Sequence, residues 1–254
     1  MRQMGGMTEA YKLIPHEGNC DIFVFGDHAS NDIPAEFNNL GLRGEDLTRH
    51  IAWDIGTETV IRHLCEHFEC AGQLAGFSRL LIDPNRGTNA SDLVPEVSDG
   101  TPIPGNTNLS IADIQHRIDN YYLPYHNQVS ATLRTLKKPF VIYIHSFTPH
   151  PLTGENRSMD FGLLVKHDPN SAEVLRQNLT NLPHNFTVEV NQPYSAEYYN
   201  HTMDTHVTEP TLRHLAIEIR QDHIDTEEKA RHIAALLADC IEPVINGSVT
   251  LHST

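Results

Sequence analysis

The chain has 254 residues, of which 39% are hydrophobic and 20% are charged, and this composition is typical of a folded protein with a sizeable core. It carries 33 acidic against 18 basic side chains, and its formal net charge of −15 disfavours nucleic acids and anionic membrane surfaces as partners. The four cysteines form neither a C-x-x-C pair nor a short disulfide framework, so we expect reduced thiols and a cytoplasmic location.

The length predicts a single domain over residues 1–254, because α/β folds of this size are often one unit. No apolar run approaches the length of a membrane span. Residues 1–7 contain no hydrophobic signal core, and we interpret residues 1–19 as an N-terminal tail or an edge segment.

The first third of the chain predicts strands and one helix. Residues 21–26 are an apolar run that ends in glycine, which indicates a buried strand, and a polar loop follows over residues 27–34. Apolar residues at helical spacing predict a helix over residues 54–68. Shorter apolar runs predict strands at 73–77 and 80–82.

Residues 84–109 are rich in proline, glycine, asparagine and aspartate and show little periodicity. Loops of this length are uncommon inside a compact domain and are often functional. Because the segment leaves directly from Asn85 and Arg86, which are candidate site residues, we predict an ordered loop over the site. The alternative is a disordered insertion.

The remainder of the chain alternates helices and strands. Ser110 is a predicted N-cap, and apolar spacing predicts a long helix over residues 110–136 that Pro124 should kink. The strongest strand signal is at residues 140–144 and ends at His145. Further elements are predicted as strands at 161–166, 186–190 and 214–219 and as helices at 171–182 and 226–241.

Strands that are continuous apolar runs and alternate with helices indicate an α/β fold. We predict a mostly parallel, twisted central sheet with helices on both faces. In such sheets, ligands bind beyond the carboxyl ends of the strands, so polar residues at those ends are candidate site residues.

Three polar clusters fall at predicted strand ends, and they comprise residues 28–32, 145–146 and 218–220. Two histidines, His28 and His145, with a nearby oxygen ligand meet the requirement of a catalytic zinc site. Glu218 arrives on a separate strand and is a candidate for the base that takes a proton from water. Each histidine has the alternative of being an ordinary loop residue, and Glu218 that of pairing with Arg220.

A further polar segment contains Arg79, Asp83, Asn85 and Arg86. A guanidinium matches a carboxylate through two parallel hydrogen bonds. In so acidic a chain, arginines at a strand end indicate a site for an anion. The alternative is that Asp83 simply pairs with Arg79 or Arg86.

Several of these segments together resemble the N-formylglutamate amidohydrolase family. They are His28-Ala-Ser-Asn31 with Pro34, His50-Ile-Ala-Trp-Asp54, Ser78-Arg79 with Asp83-Pro-Asn85-Arg86, Ser98-Asp-Gly100 with Ile103-Pro-Gly-Asn106, His145-Ser-Phe-Thr-Pro149, Asn191-Gln-Pro-Tyr194 and Glu218-Ile-Arg220. The resemblance runs from about residue 23 to residue 241. No single motif is decisive, but their order and spacing make the match specific.

The resemblance implies a fold and site similar to those of zinc carboxypeptidases and aspartoacylases. It implies that His145 is the last metal histidine and that Glu218 is the catalytic glutamate. It also implies that Asn85 and Arg86 hold a substrate carboxylate and that Arg79 polarises the scissile carbonyl.

The metal ligands implied by the resemblance are His28, Asn31 and His145. The wider superfamily has His-x-x-Glu at the first metal motif, whereas here the fourth position is Asn31 and the carboxylate follows at Asp32. An amide oxygen is a weak zinc ligand. Either Asn31 binds weakly, or Asp32 turns in, or water completes the site.

The activity implied is hydrolysis of an N-acyl amino acid, a small acidic substrate such as N-formylglutamate, to the free amino acid and formate. One divalent metal ion, zinc, is the implied cofactor. The alternatives are a different zinc deacylase or carboxypeptidase-like hydrolase with the same site, or a non-catalytic binding protein of this fold.

Overall fold

A seven-stranded sheet forms the centre of the structure, a computed structural model that describes residues 9–16, 20–209 and 211–247. Its strands are β1 (Tyr11–Ile14), β2 (Ile22–Gly26), β3 (Ala71–Ala75), β6 (Phe140–Phe147), β7 (Phe161–Leu163), β8 (Val188–Val190) and β9 (His214–Arg220). A separate hairpin is formed by β4 (Val97–Ser98) and β5 (Thr101–Pro102).

The strand order in the sheet is β1-β3-β2-β6-β9-β7-β8. The pairs β3–β2, β2–β6, β6–β9 and β7–β8 are parallel, whereas β1–β3 and β7–β9 are antiparallel. The predicted α/β class with a mostly parallel sheet is therefore confirmed. Within the segment interpreted as a tail or edge, β1 is an edge strand, and residues 1–8 and 17–19 lie outside the described residues.

Helices cover both faces of the sheet. They are α1 (Thr57–Phe68), α2 (Ile111–Arg117), α3 (Leu123–Thr135), α4 (Pro169–Thr180), α5 (His201–His206) and α6 (Glu227–Ile245). Successive side chains of a strand point to opposite faces. In β2, accordingly, Val24 packs into the hydrophobic cluster that includes α1 and α6, while Phe23 and Phe25 pack into a second cluster that includes α3. No described helix is long and apolar enough to cross a membrane.

The predicted helix over residues 110–136 is divided in the structure. Ser110 caps α2 through a reciprocal pair of hydrogen bonds with Asp113, and a π-helical turn over Ile118–Tyr122 separates α2 from α3. Pro124 lies in the first turn of α3. Because proline has no N–H for the carbonyl four residues earlier, a regular α-helix cannot run through this point unchanged.

The prediction of a strand at residues 80–82 is wrong, because Leu80 and Leu81 lie in a turn and Ile82 lies in neither a strand nor a helix. The side chain of Ser78 donates to the carbonyl oxygen of Ala52 at 2.7 Å, and the amide of Leu81 donates to the Ser78 carbonyl at 2.9 Å. The apolar residues Leu80 and Ile82 are buried although they do not belong to a strand. Helix α5 was not predicted.

Residues 84–109 follow an irregular path that includes the β4–β5 hairpin. The Asn106 amide donates to the carbonyl oxygens of Leu80 at 2.8 Å and Pro95 at 2.7 Å. The buried guanidinium of Arg117 donates to the Asn106 side-chain oxygen at 2.7 Å. These contacts attach the segment to the body of the protein at its C-terminal half.

Candidate active site

A cavity of about 330 Å³ opens where β2, β6 and β9 end, at the low end of the size range of ligand sites. It lies at the edge of the sheet that the α/β topology makes available for binding. Of the residues predicted for the site, its walls include His28, Arg79, Asn85, Arg86, His145 and Glu218.

Two histidines and a carboxylate form a buried cluster that could hold a metal ion. One ligand atom from each of His28, Asp54 and His145 lies within 4.8 Å of the others. The Asp54 Oδ2 atom is 3.5 Å from His28 Nδ1 and 2.7 Å from His145 Nδ1. Two imidazoles with one carboxylate are a donor set of catalytic zinc sites.

The hydrogen bonding of the cluster agrees with metal binding. His28 Nδ1, His145 Nε2 and Glu218 Oε2 are buried and have no hydrogen-bond partner in the part of the chain that the structure describes. Leaving a buried polar atom without a partner costs about 1–3 kcal/mol. Unpartnered atoms at three residues around one cavity therefore fit a site whose ligands include a metal ion and water.

Asp83 holds His28 in the orientation that a metal ligand needs. Its carboxylate accepts from His28 Nε2 at 2.8 Å and from the backbone amide of Asn85 at 2.8 Å. It also accepts from Arg79 Nη2 at 2.8 Å, so the ion pair considered for Asp83 is present. A proton on Nε2 leaves the lone pair of Nδ1 free for a metal.

Neighbouring charges shift the pKa values of His28 and Asp83 in opposite directions. Burial and Arg79 lower the pKa of His28, but Asp83 and Asp54 outweigh them and raise it to about 9. Burial raises the pKa of Asp83, but Arg79 and His28 bring it well below its usual range. A metal ion bound to His28 would compete with a proton, and its binding would release protons.

The predicted third metal ligand, Asn31, stays a prediction. Asn31 does not line the cavity, and its side-chain amide donates to the Leu47 carbonyl at 2.8 Å. Asp32 is likewise absent from the cavity walls. The carboxylate that lies beside the two histidines is that of Asp54, whose backbone amide donates to the His28 carbonyl at 2.8 Å and brings these two residues together.

Glu218, the candidate base, lies on β9 and lines the cavity beside the histidines. It lies directly opposite His145 in the β6–β9 register, and it is 5% exposed. Burial raises its pKa to about 7, against a lowering by His145. Arg220 pairs with Asp160 at 3.0 Å and Asp222 at 2.7 Å, so the alternative of a Glu218–Arg220 pair is not realised.

Asn85 and Arg86 form part of a second wall. The side-chain oxygen of Asn85 accepts from the backbone amide of Thr202 at 3.1 Å, at the start of α5. Arg86 Nε donates to Asp92 at 2.6 Å, and its guanidinium carbon lies 5.1 Å from the centre of the Tyr199 ring. The Asp92 side chain is 56% exposed, so this ion pair can exchange with a ligand.

Asp99, Leu152 and Thr153 form a contact, here called the clasp, between the loop over residues 84–109 and the loop after β6. The Asp99 carboxylate accepts from the backbone amides of Leu152 at 2.8 Å and Thr153 at 2.7 Å. His50 Nε2 lies 3.0 Å from the same carboxylate. Asp99 and Thr153 both line the cavity, so this clasp closes one side of it.

Sequence reasoning did not assign roles to Asp54, Arg157 or Tyr194, all of which line the cavity. Asp54 and Tyr194 stood inside segments that carry the family resemblance, and this was the available signal. Nothing in the sequence indicated Arg157.

Metal-dependent amide hydrolases use histidines and a carboxylate to bind the metal ion, and a nearby glutamate as the general base. The residues of this cavity match that set. The chain belongs to the N-formylglutamate amidohydrolase family, whose sequence profile it matches over residues 20–224. The resemblance seen in the sequence is thus confirmed, and the protein is an amidohydrolase.

Two solved structures are similar over almost the whole chain. Gene product Atu2144 from Agrobacterium tumefaciens is 31% identical, with 94% of this chain and 96% of that chain covered and a TM-score of 0.89. An N-formylglutamate amidohydrolase from Ralstonia eutropha JMP134 is 20% identical, with 93% and 98% covered and a TM-score of 0.68, which shows a shared fold. A search of curated proteins gives no match.

Proposed function

We propose that the protein hydrolyses the amide bond of an N-acyl amino acid, with N-formylglutamate as the first candidate, and releases formate and the free amino acid. The observation that carries the proposal is Glu218, a buried carboxylate that lies opposite His145 and has an unpartnered oxygen beside the His28–Asp54–His145 cluster. Membership of the family supports the choice of an N-formyl substrate.

One divalent metal ion, zinc, is part of this proposal. Held by His28, Asp54 and His145, it would supply a Lewis acid and lower the pKa of water. Asp83 keeps His28 in the required tautomer through the 2.8 Å hydrogen bond to Nε2.

Glu218 moves the proton in the proposed reaction. As a carboxylate it takes a proton from the attacking water, and as a carboxylic acid it gives that proton to the leaving amine. A pKa of about 7 suits both halves of the cycle, because the two forms of the side chain are then close in free energy near neutral pH.

The arginines have separate tasks. Asn85 and Arg86 bind a substrate carboxylate and thereby fix the position of the amide. Arg79 is held by Asp83 at 2.8 Å and faces Asp54 at 3.6 Å. It stabilises negative charge on the scissile carbonyl oxygen, a task worth roughly 3–4 kcal/mol for one donor.

Of the two alternatives predicted from the sequence, one remains. A different zinc deacylase or carboxypeptidase-like hydrolase would use the same groups on a different acyl group. The non-catalytic binding protein rested on the weak amide ligand Asn31, and a carboxylate from Asp54 in the cluster removes that motive.

The cytoplasmic location indicated by the cysteine pattern belongs to the same proposal. Its support is that all four cysteines are free. Free thiols are typical of proteins that remain in reducing compartments.

The test combines metal content with a substrate panel. Protein purified without chelator should contain about one divalent ion per chain, and it should release formate from N-formylglutamate faster than acetate from N-acetylglutamate. The His28→Ala/His145→Ala double variant is the control and should lose both metal and turnover. Full metal content without hydrolysis of any N-acyl amino acid would overturn the proposal.

A further inference from the structure

Three arginines line the cavity, and they differ in their ion pairs. Arg79 lies 2.8 Å from a carboxylate oxygen of Asp83, and Arg86 lies 2.6 Å from one of Asp92. Arg157 has no carboxylate within 4.0 Å among the described residues. It is therefore the cavity arginine whose charge is not neutralised by a neighbour.

Aromatic rings hold the guanidinium of Arg157 in place. Its Cζ atom lies 4.9 Å from the centre of the Tyr194 ring and 5.9 Å from that of Phe147. Its Nη1 atom donates to the Tyr194 hydroxyl at 3.0 Å and makes a longer contact of 3.4 Å with the Thr148 carbonyl. The rings fix the plane of the guanidinium without supplying a counter-charge.

Most N–H donors of the Arg157 guanidinium make no hydrogen bond to a described residue. The hydrogen bonds of its side chain to described residues all start from Nη1, so Nε and Nη2 are available to a ligand in the cavity. A guanidinium offers five N–H donors in a planar fork that matches a carboxylate. The Tyr194 hydroxyl accepts from Arg157 and makes no hydrogen bond as a donor to a described residue, so it can donate to the same ligand.

The acidic net charge of the chain makes an arginine without a counter-charge in the cavity a strong indication of an anionic ligand. With a net charge of −15, the protein has many carboxylates available to pair with an internal cation. Arg86 already provides one anion position in the cavity, and Arg157 provides a second. A cavity of about 330 Å³ is large enough for a small ligand that bears two carboxylates.

We propose that Arg157, with Tyr194 behind it, binds a second substrate carboxylate and makes the cavity selective for N-acyl amino acids with two carboxylates. This inference rests on the proposed function. Arg157 and Arg86 then bind different carboxylates of one substrate, and neither arginine replaces the other.

The experiment compares N-formylglutamate with its two mono-amides, one amidated at the α-carboxyl and the other at the side chain. The wild-type enzyme should prefer the dicarboxylate over each amide by roughly 100-fold in kcat/KM, the scale of a lost charge-assisted contact. Arg157→Gln should abolish the preference against one amide, mainly through KM, and Arg86→Gln should abolish the preference against the other.

Further variants separate recognition from folding. Arg157→Lys should not restore the preference, because an ammonium lacks the planar fork. Tyr194→Phe keeps the ring beside Arg157 and should lose part of the preference. Arg176→Gln, on the exposed face of α4 and paired with Glu173 at 2.7 Å, is the matched control and should leave selectivity unchanged. Melting temperatures of all variants report folding.

A binding measurement separates failure of this inference from failure of the proposed function. Glutarate, a dicarboxylate without an amide, should bind the wild-type protein, and Arg157→Gln should weaken its binding roughly 100-fold. If Arg157→Gln keeps both substrate preferences and binds glutarate normally, the inference is wrong even though hydrolysis stands. If the wild-type protein cleaves none of the three substrates, the proposed function is wrong, and glutarate binding alone decides the role of Arg157.

Discussion

The two walls of the cavity are built in different ways. The strand wall surrounds the ends of β2, β6 and β9, and its carboxylates Asp54 and Asp83 are 4% and 5% exposed. Asp83 accepts hydrogen bonds from both His28 and Arg79, and Asp54 accepts one from His145. On the loop wall, Arg86 pairs with Asp92, whose side chain is 56% exposed.

Under the proposed function, the strand wall carries out the reaction and the loop wall binds the substrate. Groups on rigid, buried elements keep the geometry that proton transfer and metal binding need. Groups on loops are held by aromatic stacking and exchangeable ion pairs, and loops tolerate sequence change. We therefore expect changes in the strand wall to abolish turnover and changes in the loop wall to alter substrate preference.

The largest effect should come from the carboxylate of the metal cluster. Asp54→Ala should lose the metal and reduce turnover to background, because two imidazoles alone make a poor zinc site. Asn31→Ala is the matched control and should retain the metal, since Asn31 contacts Leu47 and not the cavity. Elemental analysis of both variants decides the point. A metal-replete Asp54→Ala together with a metal-free Asn31→Ala would restore Asn31 as the ligand.

The next effect concerns Glu218. Glu218→Gln should keep the metal and lose at least ~100-fold in kcat, the usual scale of general acid–base catalysis. The control is Glu155→Gln, at an exposed position, which should be fully active. Loss of metal from Glu218→Gln would make the residue a ligand, and near-normal turnover would remove it from the mechanism.

The pKa of Glu218 predicts how the rate of hydrolysis depends on pH. Glu218 must be ionised to accept a proton, so kcat/KM should rise as the pH passes through about 7. Below that pH the side chain is protonated and the base is lost. Rates measured from pH 5 to pH 9 test this, and a profile that falls through neutral pH contradicts the assignment.

A smaller effect is expected on the loop wall. Arg86→Lys should raise KM roughly 10- to 100-fold and leave kcat nearly unchanged if the carboxylate contact is equal in the ground and transition states. Asp92→Asn is the comparison, because it removes the partner of Arg86 and keeps the guanidinium. If a neutral N-acyl amide is cleaved as well as the acid, Arg86 does not bind a carboxylate.

The smallest effect should come from the clasp. Asp99→Ala removes the acceptor of the Leu152 and Thr153 amides, so residues 84–109 should be cut faster in limited proteolysis. A carboxylate inhibitor should slow the cutting in the wild-type protein if the segment covers the site. Rapid cutting of wild type with and without inhibitor would make the segment a surface loop.

The strand wall was largely predictable from the sequence. His28, His145 and Glu218 each follow or end an apolar run, and a parallel sheet brings its carboxyl ends to one edge whatever the distance along the chain. Only local patterns and one topological rule were needed. Their catalytic and metal-binding roles stay predictions.

Asp54 received no site role from the sequence because the predicted start of the first helix was three residues too early. The predicted helix over residues 54–68 included it, whereas α1 begins at Thr57. Gly56 has φ of 82° and a Cβ there would lie 2.1 Å from the Ile224 carbonyl oxygen, so the chain turns sharply before the helix. Asp54 is thereby free to reach the histidines.

The loop wall had no periodic pattern to reveal it. Arg157 and Tyr194 meet through packing of two loops that are distant in sequence, at 4.9 Å from guanidinium carbon to ring centre. Such contacts depend on the complete fold, and neither propensity nor spacing encodes them.

The hydrogen bond from the Asp54 amide to the His28 carbonyl joins two members of the candidate metal cluster. Residues 28, 54 and 145 meet only when β2, β6 and the turn before α1 are all in place. An unfolded chain or a fragment ending before β6 lacks this convergence. A metal ion held by these residues would therefore bind the native state alone and would raise the melting temperature by mass action.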